Sequence, residues 1–115
     1  MKKFFKKRKT VEQVEESIDF APKFDKNGLI PVVTTDFKSG EVLMHGFMNQ
    51  ESLKKTITFG EAYYYSRSRR IVWHKGKTSG LIQKVKEILI DDDQDSIWMK
   101  VRVLGGASCH VGYRS

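Results

Sequence analysis

The chain has a single cysteine, Cys109, so no disulfide can form within it. A reducing compartment such as the cytoplasm is therefore expected. One cysteine and three histidines cannot complete a closed structural zinc site in any spacing this chain offers. No apolar run approaches the roughly 18 residues of a membrane span, so no membrane partner is expected. Internal repeats and low-complexity tracts are missing as well. The first ten residues hold no acid, only Lys2, Lys3, Lys6, Lys7, Arg8 and Lys9 around Phe4-Phe5. That stretch has no apolar h-region, and one arginine with no serine does not suit a mitochondrial presequence, so neither signal is expected.

What is present fits one small globular domain. The 115 residues are 39% hydrophobic, 11% aromatic and 30% charged, which argues against a wholly disordered chain. A chain of this size buries about two-thirds of its unfolded surface and holds one core. Any site then lies on the rim of that core or is shared with a second copy. The net charge of +7 is local: without the first ten residues, 15 basic and 14 acidic residues remain. The high charge thus describes a basic head, which could touch an anionic surface or be an ordinary solvated terminus.

Thr10 and Gln13 read as a capping box opening a short helix to about Ile18. Pro22 and Asn27-Gly28 mark a connector. Leu29 to Thr34 and Glu41 to Met48 read as a hairpin across a turn at 36–40. Asn49 caps a helix from Gln50 to Phe59, which Gly60 ends. Strands follow at Ala62 to Ser66 and Ile71 to Lys75. Gln83 to Ile90 alternates imperfectly, with Val85, Glu87 and Leu89 opposite Lys84, Lys86, Ile88 and Ile90. It pairs with Ser96 to Leu104 across an aspartate-rich turn. Mostly antiparallel strands with one or two helices predict an α+β fold.

Three clusters could carry chemistry. Asp91, Asp92, Asp93 and Asp95 crowd one hairpin tip, where like charges repel unless a cation neutralises them. In an extended segment Asp91, Asp93 and Asp95 would project to one side, a hard-oxygen set suited to Mg²⁺ or Ca²⁺. A solvated acidic turn explains them equally well. An EF-hand is excluded, because Ser96 stands at its turn glycine and Arg102 at its bidentate glutamate. Cys109-His110 pairs a thiol with an imidazole, both suited to zinc, although a buried cysteine beside a surface histidine is the plainer explanation. Ser66, Arg67, Ser68 and Arg69 form a hydroxyl and guanidinium cluster at a strand end, matched to phosphate. Lys75 and the loop 76–80, with Thr78 and Ser79, could add a second anion site. A charged surface loop pair is the alternative. The segment is no Walker A loop, because Ile71 replaces its leading glycine.

From Gly28 to Ser115 the chain resembles the phosphoribosyl-AMP cyclohydrolase family of histidine biosynthesis. The resemblance is carried by Gly28-Leu-Ile-Pro-Val, Met44-His-Gly-Phe-Met-Asn49, Tyr65-Ser-Arg-Ser-Arg69, Trp73-His-Lys-Gly76, Thr78-Ser-Gly80, the Asp91 to Asp95 run, and Cys109-His-Val-Gly-Tyr-Arg-Ser115. It implies a hydrolase domain over 28–115 behind a head at 1–27. It also implies an intertwined homodimer with sites at the interface, and Zn²⁺ and Mg²⁺ as cofactors. The substrate would be 1-(5-phosphoribosyl)-AMP, opened between N1 and C6 by a zinc-activated water. By this resemblance Asp91, Asp93 and Asp95 hold magnesium and Cys109 holds zinc. Asp92 stands where the family carries a zinc cysteine, and a carboxylate can replace it. A further family cysteine would fall immediately after Ser115, so the C-terminus reads as cut short. His110, and secondarily His74, are expected to move protons. Ser66, Arg67, Ser68, Arg69, Lys75, Thr78 and Ser79 are expected to hold the phosphates.

Two other functions remain in competition. A nucleic-acid module would use the basic head and Arg67 to Arg70, but it leaves the aspartates unexplained, and a nucleic-acid partner is not expected. A Mg²⁺-dependent nucleotide phosphohydrolase would release phosphate, whereas ring opening would not.

Overall fold

The computed structural model describes residues 22–105. The basic head, the expected helix from Thr10 to Ile18, and Cys109-His110 lie outside the described residues. The elements are β1 (Ile30–Asp36), β2 (Val42–Met48), α1 (Gln50–Phe59), β3 (Tyr63–Ser66), β4 (Ile71–His74), β5 (Gln83–Ile90) and β6 (Ile97–Val103). Among the described residues this is an α+β domain with one helix and mostly antiparallel strands. One sheet runs in the order β2-β1-β6-β5, and β3 and β4 form a separate hairpin. Both long hairpins are antiparallel as expected. The central pair, β1 with β6, is parallel and joins the two hairpins into one sheet.

Alternation places the core. Ile30, Val32 and Thr34 of β1, and Ile97, Met99 and Val101 of β6, face inward, while Val33, Trp98 and Arg102 face out. The alternation expected for β5 is overturned by a bulge between Val85 and Glu87. Gln83 and Val85 point inward before it, and Ile88 and Ile90 after it. One extra residue moves every later side chain to the opposite face.

Helix α1 forms where local chemistry dictates. The Asn49 side chain accepts a hydrogen bond from the Ser52 amide at 2.8 Å, and the Ser52 hydroxyl accepts one from the Asn49 amide at 2.9 Å. This reciprocal cap satisfies two donors that the first turn leaves unpaired. Gly60 takes the left-handed conformation at φ 71° and returns its N–H to the Thr56 carbonyl. Leu53 is fully buried, and the Thr56 hydroxyl accepts from the Tyr63 amide at 3.0 Å, tying α1 to β3.

Among the described residues, Tyr64 is the largest fully buried side chain. Its hydroxyl donates to Gln83 Oε1 at 2.6 Å and accepts from Thr34 at 2.7 Å. Burial pushes that hydroxyl well above the usual tyrosine range, with the Thr34 bond pulling the other way, so it stays neutral. A Cβ at Gly46 would stand 3.3 Å from the Tyr64 ring, which explains a glycine inside β2.

Candidate functional site

β3 and β4 pair from Tyr63 opposite His74 to Ser66 opposite Ile71, so 67–70 form their turn. Arg70 closes it at φ 57°, with its amide 2.7 Å from the Ser66 carbonyl, and the Ser66 hydroxyl accepts the Arg69 amide at 3.2 Å. The turn backbone is thereby held, and the Arg67 guanidinium rests 4.0 Å from the centre of the Phe47 ring on β2. Such a contact orients a cation without consuming its hydrogen-bond donors.

This turn borders a cavity of about 820 Å³ between β2, α1, the β3–β4 hairpin and the loop after β4. That is room for a nucleotide-sized ligand. Ser66, Arg67, Arg69, His74 and Thr78 line it, as do Lys55, Tyr63, Tyr65, Trp73 and Lys77. Cations, hydroxyls and flat aromatic faces together suit a phosphorylated purine.

The loop is held in place by Gly76. Its φ is 89°, and a Cβ there would stand 2.3 Å from the Ile82 amide nitrogen. Gly76→Ala is expected to cost about 3 kcal/mol through strain and overlap. Urea denaturation monitored by tryptophan fluorescence checks this, and a midpoint equal to that of the parent chain would contradict it.

Three expected phosphate ligands do not line the cavity. The Ser79 hydroxyl accepts the Leu81 amide at 3.2 Å, Ser68 Oγ lies 3.5 Å from Ser66 Oγ, and the Lys75 ammonium sits 5.7 Å from the Trp73 ring centre. Conversely, sequence reasoning passed over Phe47, Lys55, Tyr63 and Trp73 as site residues, and took Lys77 only as part of the loop 76–80. Lys55 forms a 4.0 Å pair with Glu51 one turn earlier, so in sequence it reads as an ordinary surface helix pair.

His74 stands on the same wall. Its Nε2–H donates to Glu61 Oε1 at 2.8 Å, and its ring stacks on Tyr63 with centroids 4.5 Å apart and planes 8° from parallel. Glu61 carried no signal of its own in the sequence.

Asp91, Asp93 and Asp95 do converge, with one ligand oxygen from each within 4.8 Å of the others. They converge within the turn expected at 91–95, not by the alternation of side chains along an extended segment. The Asp91 carbonyl accepts the Gln94 amide, and Asp91 Oδ1 accepts the amides of Asp95 at 2.9 Å and Ser96 at 3.1 Å. Gln94 is buried at φ 59°, which folds the flanking carboxylates towards each other. Burial opposes ionisation of Asp91, but hydrogen bonds from Asp95 and from the Asp95 and Ser96 amides outweigh it and hold the carboxyl below its ordinary range. Asp95 is pushed upward by its hydrogen bond to Asp91, by desolvation and by repulsion from Asp91 and Asp93. Asp92 is exposed in the same turn. The aspartates do not line the large cavity. Asp91 instead borders a separate groove of about 210 Å³ with Pro31, Val33, Leu89 and Trp98.

Comparison with known proteins adds an independent finding. The family model described as phosphoribosyl-AMP cyclohydrolase matches residues 44–115. A phosphoribosyl-AMP cyclohydrolase from Rhodopseudomonas palustris (strain BisA53) is 58% identical over 104 residues, covering 90% of this chain and 71% of the relative. One from strain TIE-1 is 55% identical over 104 residues, covering 90% and 69%. One from Bradyrhizobium diazoefficiens is 50% identical over 103 residues, covering 90% and 73%.

Proposed function

The chain belongs to the phosphoribosyl-AMP cyclohydrolase family, and from that premise we propose that it opens the adenine ring of 1-(5-phosphoribosyl)-AMP in histidine biosynthesis. The observation that carries this reading is the shared cavity. The β3–β4 turn and the loop after β4 turn Arg67, Arg69, Lys77 and Thr78 towards one nucleotide-sized space walled by Tyr63, Tyr65 and Trp73 and closed by Phe47 of β2 and Lys55 of α1. Guanidinium groups grip phosphate by paired, charge-assisted bonds, and aromatic faces stack on a purine.

The donor set at the aspartate turn fits Mg²⁺, which takes hard oxygens. Asp91, Asp93 and Asp95 would hold it. Cys109 and Asp92 would be zinc ligands, a thiolate and a carboxylate of the kind zinc accepts. When bound, zinc supplies a Lewis acid that lowers the pKa of water to about 7. His110 and His74 are the bases proposed for the reaction. The oxygen of water bonds to C6 and one of its protons passes to an imidazole. When the N1–C6 bond breaks, N1 keeps the electron pair and takes that proton. The second hydrogen ends on the exocyclic nitrogen, leaving a carboxamide.

A homodimer sharing its sites is part of the proposal. The aspartates and the arginine-lined cavity occupy separate depressions of one chain, and a second copy would unite them. The groove beside Asp91 is apolar, and Val33 and Trp98 on the same sheet face are 37% and 45% exposed. Among the described residues, no helix is long and apolar enough to cross a membrane.

Incubation with 1-(5-phosphoribosyl)-AMP and both metals is expected to yield the ring-opened product, followed by its absorbance and mass. Inorganic phosphate and pyrophosphate should stay at background. Phosphate release without ring opening would point to a phosphohydrolase instead.

A further inference from the structure

The His74–Glu61 pair is more constrained than a surface contact needs to be. The side chains are 19% and 27% exposed, and the bond is 2.8 Å long. Tyr63, the cross-strand partner of His74, holds the ring flat from one side. The backbone is pinned around both residues. Glu61 bridges to Lys84 on β5, the Ala62 amide donates to the Gln83 carbonyl, and the Lys75 amide donates to the Ala62 carbonyl, each of these two bonds at 3.0 Å. Glu61 itself is absent from the cavity wall, whereas His74 is on it.

A carboxylate can only accept a hydrogen bond, so it selects the imidazole form that carries its proton on Nε2. In neutral imidazole the other nitrogen is then the acceptor. A carboxylate behind a histidine also stabilises the imidazolium that forms when that acceptor takes a proton.

We propose that Glu61 is a positioning residue, holding His74 as the Nε2–H form so that Nδ1 is the proton-accepting atom of the cavity wall. The inference rests on the ring-opening function proposed above and adds a division of labour to it. His74 Nδ1 receives the proton released as the oxygen of water bonds to C6, and returns it to N1 as the N1–C6 bond breaks. Glu61 gains and loses no proton.

The experiment uses the full chain loaded with both metals. Imidazole ¹⁵N spectra, assigned by loss of signals in His74→Gln, are expected to show one Nε2–H form in the parent. Glu61→Ala should give a mixture of both neutral forms and lower kcat by about 10-fold, a part of the roughly 10²–10⁴-fold that general-base assistance supplies, with KM changed less than twofold. Glu61→Gln retains an acceptor oxygen and should keep the Nε2–H form while losing less kcat. In a His74→Gln background, Glu61→Ala should have no further effect on kcat, because it acts through a residue no longer there. A merely structural clasp would instead give additive losses. An unchanged imidazole form in Glu61→Ala, an unchanged kcat, or additivity would each overturn the inference. Absence of ring opening in the parent chain would refute the function itself, while the spectra would still report on the pair.

Discussion

Asp93→Ala is expected to lower kcat/KM for ring opening by about 10²–10³-fold, the equivalent of the several kcal/mol that a bound cation supplies. Asp93 is preferred to Asp91 for this test because of what Asp91 does for the backbone. Asp91 Oδ1 also accepts two backbone amides, so Asp91→Ala would unravel the turn along with the proposed metal site. Calorimetric titration with Mg²⁺ should show weakened binding in Asp93→Ala while the far-ultraviolet spectrum stays that of the parent. Parent-like Mg²⁺ affinity in this variant would remove the aspartate turn from the mechanism. The same turn predicts a pH dependence. Its own hydrogen bond to Asp91, with desolvation and repulsion behind it, makes Asp95 keep its proton to higher pH than an ordinary aspartate. A cation must displace that proton, so affinity for Mg²⁺ should climb as pH rises through the raised Asp95 range and level off above it. Acidification should release the cation before it unfolds the sheet.

The second large effect concerns Arg67. Arg67→Ala is expected to raise KM about 100-fold, the upper range for a hydrogen-bonded charged contact, and to change kcat much less. Arg67→Lys should recover little of this. An ammonium lacks the planar fork that pairs with two phosphate oxygens, and it stacks less well on Phe47. Because Arg67 is exposed, the penalty should shrink at high salt, where screening already weakens the parent's grip. Steady-state kinetics at two ionic strengths decide this. An equal fall in kcat and kcat/KM would mean that the arginine acts on the transition state instead of on phosphate binding.

Different parts of the molecule were legible to different degrees. Helix α1 was readable to its ends because Asn49 and Gly60 act within a turn of themselves. The β3–β4 turn was readable as a phosphate-type cluster, but not as one wall of a cavity that includes Lys55 and Phe47. The aspartates were readable as a cation set, whereas the reason they converge was not. That reason is the buried Gln94 and the amide bonds to Asp91. Alternation in β5 misled because the bulge after Val85 leaves no mark in composition. Glu61 was invisible, since an isolated glutamate becomes informative only when His74 lies 2.8 Å away.

By itself, then, the amino-acid order determined the caps, the turns, the strand and helix assignments and the family to which the residues are similar. Each of these depends on dihedral preference and on bonds reaching only a few positions. The tertiary structure decided the parallel joining of β1 to β6, the register change in β5, and which charged side chains share a space. Those outcomes depend on close packing between segments far apart in the chain. There a shift of one residue reverses a face, and no local preference encodes the choice.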